Sequence, residues 1–153
     1  MFSGKLEAIY FASSSDDAMT GVTSVEVLAG QGVAEDRYSV GEGTFSKQSP
    51  DRQITLIEAE AIEAASREYG FELAADETRR NLVTRDVPLN HLVDKEFLVG
   101  NVRIRGIRLC EPCAHLEKLT GKKVLRALTH RGGLRAEVLS DGQIQVGDEI
   151  RVA

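Results

Sequence analysis

Residues 97–110 alternate apolar and polar side chains with a period of two, and this pattern restricts the fold more than any other feature of the sequence. Val102 and Ile104 are apolar and alternate with two arginines. Such alternation is typical of a β-strand with one buried face. The apolar set moves to the other parity at Gly106, which predicts a β-bulge there, and Gly100-Asn101 predicts a hairpin turn before it.

The two ends of the chain continue this β pattern. Apolar and charged residues alternate over 134–138, and Asp141-Gly142 predicts a hairpin turn into a last pair of apolar segments. Near the start of the chain, residues 5–12 and 22–29 have the composition of strands. The sequence therefore predicts a β-rich mixed α/β fold, a closed or partly closed barrel with a few inserted helices.

Two segments predict helices. Residues 55–58 have the form of a capping box, an apolar stripe recurs every four residues from Ile57 to Tyr69, and Gly70 is placed to end the helix. Residues 113–128 predict two short helices separated by Gly121. Helical segments are thus the minor component.

The length of 153 residues predicts one domain that spans residues 1–153. The N-terminus lacks a basic stretch followed by an apolar core, and no run of about 18 apolar residues occurs, so we expect a cytoplasmic protein without a membrane partner. The net charge of −5 disfavours nucleic acid, because binding to phosphate backbones needs a basic surface. The oligomeric state stays open.

Arginine accounts for most of the 19 basic residues, and most of the arginines lie in the second half of the chain. The planar guanidinium binds phosphate through two hydrogen bonds, so a local arginine cluster in an acidic protein indicates a small anionic ligand. For any single arginine, an exposed ion pair is the simpler explanation.

The segment Cys110-Glu111-Pro112-Cys113 is the first candidate for chemistry. Two cysteines do not make the disulfide framework of a small secreted domain, so they are expected to be thiols kept for reactivity or metal binding. A following helix and nearby arginines would favour the thiolate, which attacks sulfur or binds a metal. The alternative is two buried cysteines that act as small apolar residues.

Three further segments have side chains suited to an anion. Thr78-Arg79-Arg80-Asn81 offers donors and an acceptor for a phosphate and a heterocycle edge, and residues 129–133 contain adjacent glycines whose N–H groups can approach an anion. Asp36-Arg37-Tyr38 holds an arginine that would face the same pocket. A connecting loop and an exposed ion pair are the alternatives for the last two. The histidines His91 and His115 show no metal-ligand spacing.

In this order, these segments resemble the MOSC domain family, named after the C-terminal part of molybdenum-cofactor sulfurases, over nearly the whole chain. The matching stretches are GVAEDRY (32–38), RQITLIE (52–58), RRNLVT (79–84), LCEPC (109–113), HRGGL (130–134) and GD (147–148). Each stretch is only modestly specific, and the resemblance rests on all six in sequence.

The resemblance implies a MOSC-type β-barrel with a few peripheral helices, whose pocket binds the pterin-based molybdenum cofactor, molybdopterin. It also implies a cysteine that ligates molybdenum or carries sulfur as a persulfide. In relatives with two cysteines at this spacing, the metal ligand corresponds to the second one. The resemblance therefore implies that Cys113 is both the catalytic residue and the metal ligand. The implied cofactor-binding residues are Arg37, Arg52, Arg80, Asn81, Arg131 and Gly132.

The expected function is therefore molybdenum-cofactor binding or sulfur carriage, with sulfur transfer or molybdenum-dependent redox chemistry as the activity. The expected partners are a small anionic cofactor or a protein that donates or accepts sulfur. Two alternatives stay open: a non-catalytic module of the same fold that binds an anion or a partner, and a zinc or redox protein that uses both cysteines. The second alternative requires Cys110 and Cys113 to matter equally.

Overall fold

The computed structural model describes residues 1–12, 18–34 and 49–153. The strands are β1 (Ser3–Phe11), β2 (Thr20–Val22), β3 (Ser24–Leu28), β4 (Gly32–Val33), β5 (Ile54–Glu58), β6 (Leu82–Arg85), β7 (Glu96–Val99), β8 (Val102–Leu109), β9 (Leu134–Val138), β10 (Gly142–Gln145) and β11 (Glu149–Val152). The helices are α1 (Ala59–Tyr69), α2 (Ala114–Thr120) and α3 (Val124–Ala127). Short 3-10 turns lie at Pro50–Arg52, Ala75–Thr78 and Leu89–Leu92.

Seven of the described strands close into a barrel. They follow the order β11, β7, β8, β9, β5, β6, β1, and β1 pairs again with β11 through Ser3 opposite Arg151 and Gly4 opposite Ile150. Closure gives every barrel strand two neighbours, which removes exposed sheet edges. Strand β2 extends the sheet beyond β1, and β10, β3 and β4 form a separate small sheet. The predicted β-rich mixed fold with a closed barrel and a few helices is confirmed.

Strands β5 and β6 are apolar on both faces. They are parallel neighbours, and the crossover that a parallel pair needs is supplied by α1. Leu56 and Leu82 belong to the core inside the barrel, whereas Ile57 and Val83 belong to a second core beneath the helices. Because both faces of β5 are buried, the position of this strand is fixed, and so is that of the residues immediately before it.

The capping-box prediction at 55–58 is wrong. Those residues belong to β5, and the helix begins at Ala59. Pairing with β6 on one side and β9 on the other supplies the backbone hydrogen bonds that a helix start would otherwise leave open. The prediction that Gly70 ends the helix is confirmed, with φ 70° in the left-handed region.

Other turn predictions had mixed outcomes. The bulge is confirmed, since the register between β8 and β9 shifts between Gly106 and Arg108, and Gly100-Asn101 does link the hairpin of β7 and β8. The hairpin predicted at Asp141-Gly142 is wrong, because β10 pairs with β3 instead of β9. The Asp141 carboxylate accepts a hydrogen bond from the Ala29 N–H at 2.7 Å, which holds this turn beside β3.

The segment after β8 folds into two short helices, as predicted. Helix α2 ends at Gly121, whose φ of 67° lies in the left-handed region, and α3 follows. Leu116, Val124 and Leu128 from this segment pack into the core beneath the helices. None of the helices in the described ranges has the length and apolarity needed to span a membrane.

The chain passes unusually close to β5 at Gly133, immediately before β9. A Cβ atom at this position would lie 2.0 Å from the Leu56 carbonyl oxygen, and the φ of 116° is one that L side chains rarely adopt. Glycine is therefore required here for both space and backbone conformation.

We expect Gly133→Ala to lower the free energy of unfolding by about 3 kcal/mol, because it adds a collision to backbone strain. Gly121→Ala is the matched control: its φ is also positive but its Cβ would meet nothing within 4 Å, so about 1 kcal/mol is expected. Urea unfolding of both variants measures the difference. Equal losses would show that Gly133 is not closely packed.

Candidate functional site

A cavity of about 140 Å³ lies where α2 faces β5, β9 and the residues before β6. Its lining residues are Arg52, Thr55, Arg79, Arg80, Asn81, Cys110, Cys113, His115, Leu116, Leu119 and Arg135. The two leucines from α2 contribute apolar surface, and the arginines contribute a cationic part. The cavity thus combines a hydrophobic side with donors for an anion.

The charge of the cavity differs in sign from that of the whole chain. Four of its lining residues are arginines, and among the residues that the structure describes no carboxylate lines it. The chain as a whole carries a net charge of −5. Clustered charges of one sign in a concave site raise the local concentration of counter-ions, so this cavity attracts anions.

The two cysteines differ in their access to solvent. Cys110 follows β8, is only 1% exposed, and donates its backbone N–H to the Gly133 carbonyl at 2.7 Å. Cys113 is exposed, and its extended backbone caps the start of α2, where its carbonyl accepts the Glu117 N–H at 3.1 Å. Of the two thiols, Cys113 is the one that a molecule entering the cavity can reach.

Arg80 fixes the loop that carries the cysteines. Its guanidinium is 8% exposed and donates three hydrogen bonds to backbone carbonyls. The bond from Nε reaches Gly132 at 2.8 Å, and those from the terminal nitrogens reach Cys110 at 3.0 Å and Thr78 at 3.1 Å. One buried cation therefore ties together three chain segments around the cavity.

Asn81 connects the strands on the far side of the cavity. Its side-chain oxygen accepts hydrogen bonds from the backbone N–H of Thr55 at 3.0 Å and from the Thr55 hydroxyl at 3.2 Å. Its side-chain nitrogen donates to the Tyr10 carbonyl at 3.1 Å. The amide thereby bridges β1 and β5 where β6 begins, and it holds Thr55 in the cavity wall.

Arg135 brings a donor that the described residues leave unsatisfied. It lies on β9 opposite Thr55 of β5, and one terminal nitrogen donates to the Asp51 carbonyl at 3.3 Å. Its Nε atom is buried, and in the described part of the chain it has no hydrogen-bond partner. A buried donor without a partner costs free energy. Because this atom is closed to solvent, a bound group would meet Arg135 at its terminal nitrogens.

The carboxylate of Asp51, whose backbone carbonyl contacts Arg135, is engaged elsewhere. Asp51 pairs with Arg108 at 3.0 Å and accepts a hydrogen bond from the Ser49 hydroxyl at 3.0 Å. Burial alone would raise the pKa of Asp51, but the bonds from Arg108 and Ser49 outweigh it and lower the pKa. Asp51 is thus ionised at neutral pH and neutralises Arg108, which does not line the cavity.

The structure brings together four of the residues predicted for the site: Arg52, Arg80, Asn81 and Cys113 all line the cavity. Gly132 lies behind the cysteine loop, where a Cβ atom would come within 2.4 Å of the Cys110 carbonyl oxygen.

One other predicted residue lies away from the cavity, and another lies outside the described residues. Arg131 does not line the cavity; its guanidinium donates to the Ala127 carbonyl at 2.8 Å and pairs with Glu68 at 3.1 Å. Arg37 and its neighbours Asp36 and Tyr38 lie outside the described residues.

Several lining residues were not predicted for the site. Arg79 adjoins Arg80 in the motif that the sequence singled out, and it has a left-handed backbone, φ 60°, which is uncommon for a residue other than glycine. Arg135 and Thr55 become neighbours only through the pairing of β9 with β5. His115 carries no spacing signal and lines the cavity from the first turn of α2, which follows Cys113.

Comparison with solved structures places this fold among known ones. YuaD from Bacillus subtilis superposes with a TM-score of 0.80 at 17% identity, covering 98% of this chain and 97% of that one. YiiM from Geobacillus stearothermophilus gives 0.75 at 15% identity, covering 98% and 75%, and YiiM from Escherichia coli gives 0.69 at 15%, covering 97% and 69%. A search of curated protein sequences found no match. At these identities the structural similarity concerns the fold alone.

The sequence profile of the MOSC domain matches residues 44–151, which is more than two thirds of the chain. This range includes the cysteine loop, the Arg80-Asn81 pair and all of the cavity-lining residues. The resemblance that the motifs indicated is thereby confirmed, and this chain belongs to the MOSC domain family.

Proposed function

We propose that Cys113 is the reactive residue of this protein and that it ligates the molybdenum of a pterin cofactor or carries sulfur as a persulfide. The MOSC family is associated with the molybdenum cofactor. The observation that carries the proposal is an exposed thiol in a cavity that four arginines line. Thiolates bind metals and attack sulfur, and the arginines supply positive charge for an anionic ligand.

The donors of this cavity fit a phosphorylated pterin cofactor. Cys113 offers a soft sulfur ligand, and Arg52, Arg79 and Arg135 offer donors for a phosphate. Ligands of this size occupy about 300–1,000 Å³, more than the cavity beside Cys113 contains. A second depression of about 250 Å³ shares Arg79 and Leu119 with it and would hold the remainder, and the two carboxylates in its lining would keep the phosphate on the Cys113 side. When bound, the cofactor would supply the redox or sulfur-transfer chemistry.

The residues of the chain would have separate tasks in this function. The arginines would neutralise the anion, while Leu116 and Leu119 keep water away from one side of the thiol. Arg80 would set the position of the cysteine loop through its three carbonyl contacts. Hydrogen bonds from residues that do not themselves bind the metal hold a metal ligand in a productive orientation.

Both alternatives can be compared with this geometry. A zinc or redox site that uses both cysteines equally is disfavoured because Cys110 is buried and Cys113 is exposed. In addition, the described ranges contain no group of three or more His, Cys, Asp or Glu residues arranged to hold a metal. A non-catalytic anion-binding module would use the same arginines without the thiol. The protein partner, the cytoplasmic location and the roles of Arg37 and Arg131 remain predictions.

The first test replaces the thiols separately in protein expressed in a host that makes the cofactor. We expect Cys113→Ser to retain less than about a tenth of the parent's molybdenum and to form no persulfide, because the ligand sulfur is gone. The matched control, Cys110→Ala, is expected to keep both properties. Elemental analysis and mass spectrometry of the thiols provide the two readouts.

Parent-like molybdenum content and sulfur transfer in Cys113→Ser would contradict the proposal and favour the binding module. Equal losses in the two variants, with unchanged circular dichroism, would favour the zinc or redox alternative instead.

A second test concerns the support that Arg80 gives to the site. Arg80→Lys removes the planar fork that reaches three carbonyls, so we expect the free energy of unfolding to fall by about 2–4 kcal/mol. Arg52→Lys makes the same exchange at an exposed position of the same cavity and should cost less than about 0.5 kcal/mol. Urea unfolding measures both. A loss at Arg80 as small as that at Arg52 would remove the supporting role from Arg80.

A further inference from the structure

We propose that the cavity beside Cys113 binds a small sulfur oxyanion of the thiosulfate class and that Cys113 takes the outer sulfur from it. The inference rests on the sulfur-carrier part of the proposed function and names the chemical class of the sulfur donor. It concerns the protein without a bound cofactor. Size, charge and thiol access support it independently.

The size of the cavity matches a small ion. About 140 Å³ is enclosed beside Cys113, well below the roughly 300–1,000 Å³ of sites for larger organic ligands. Gly132 packs against the cysteine loop, since a Cβ atom there would collide with the Cys110 carbonyl, and Arg80 binds the carbonyls of both residues, so the loop has little room to widen the cavity. Thiosulfate, with five atoms, is small enough for this volume.

The polar lining suits a doubly negative group with several acceptor oxygens. Arg135 lines the cavity, and among the described residues no salt bridge engages its guanidinium. Arg52 is exposed at the mouth, and among the described residues no salt bridge engages it. Guanidinium groups bind tetrahedral oxyanions through paired, charge-assisted hydrogen bonds. The sulfonate end of thiosulfate presents three oxygens of this kind.

The thiol shares the cavity with the arginines. Cys113 precedes α2, Arg135 lies on β9, and both line the same cavity. An ion in this cavity whose oxygens contact the arginines would present its outer sulfur to the exposed Cys113 thiol. Leu116 and Leu119 add apolar surface to the lining, which suits the weakly hydrated sulfur better than it suits oxygen.

The transfer balances without an added oxidant. The Cys113 thiolate attacks the outer sulfur of thiosulfate, a bond forms between the Cys113 Sγ and that sulfur, and the sulfur–sulfur bond of thiosulfate breaks. Its electron pair leaves with sulfite, and Cys113 becomes a persulfide. Attack by a thiolate on a sulfur–sulfur bond is faster when the leaving group is a weak base, as sulfite is. A second thiolate, or cyanide, then takes the outer sulfur and restores the Cys113 thiolate.

The experiment supplies thiosulfate to the reduced protein and measures sulfite release, the persulfide on the Cys113 peptide and, with cyanide as acceptor, thiocyanate formation. We expect turnover in the parent and in Cys110→Ala but none in Cys113→Ser. Arg135→Gln and Arg52→Gln should each raise the KM for thiosulfate about tenfold or more while kcat changes less, since each removes a charge-assisted contact.

Arg103→Gln serves as the control for lost positive charge. Arg103 pairs with Glu96 on the outside of the barrel at 2.8 Å and does not line the cavity, so its KM should equal that of the parent. Thermal unfolding midpoints check that all variants are folded.

A parallel reaction uses glutathione persulfide, a donor that does not depend on sulfonate recognition. It distinguishes failure of the thiosulfate inference from failure of the sulfur-carrier proposal. If it loads Cys113 while thiosulfate releases no sulfite, the thiosulfate inference is overturned and the sulfur-carrier proposal stands. If neither donor loads Cys113, both fail. Sulfite release at the parent's rate from Cys113→Ser, or a parent-like KM in Arg135→Gln and Arg52→Gln, would also overturn the inference.

Discussion

The hydrogen bonds of the Arg80 guanidinium hold the site together. This buried guanidinium donates hydrogen bonds to the carbonyl oxygens of Thr78, Cys110 and Gly132, which belong to three separate segments of the chain. Without it, three buried carbonyls would lose a charge-assisted partner, a loss of about 1.5–3 kcal/mol each. The barrel supplies a rigid frame, and Arg80 attaches the cysteine loop to that frame, so the accessible thiol of Cys113 has a defined position.

Electrostatics separates this region from the rest of an acidic molecule. Many arginines of the chain are neutralised by a carboxylate: Arg85 lies between Glu7 and Glu63, and Arg108 contacts Asp51. These contacts raise the pKa of Arg85 and lower that of Glu63 through hydrogen bonds between the partners. Among the described residues that line the cavity there are four arginines and no carboxylate. The wall therefore presents a positive surface, which is the property that a phosphate or sulfonate requires.

The fold was largely predictable because its signals are local. Alternation along β8, the bulge at Gly106 and the helix end at Gly70 depend on near neighbours in sequence. The capping box at 55–58 misled because pairing on both sides of β5 overrode a local preference. For the site, motifs identified Arg80 and Cys113, but Arg135 joins it only through strand register, which no local pattern encodes. Likewise, Arg131 lies in a motif, yet its guanidinium pairs with Glu68.

The central claim, an accessible Cys113 thiol in a cationic cavity, can be tested with two methanethiosulfonate reagents of opposite charge on the Cys110→Ala variant. Each rate constant is normalised to the rate with a small free thiol. The account predicts that the anionic sulfonate reagent reacts about tenfold faster than the cationic ammonium reagent, and that added salt reduces this preference by screening. A normalised rate for the cationic reagent that equals or exceeds that of the anionic one would contradict it.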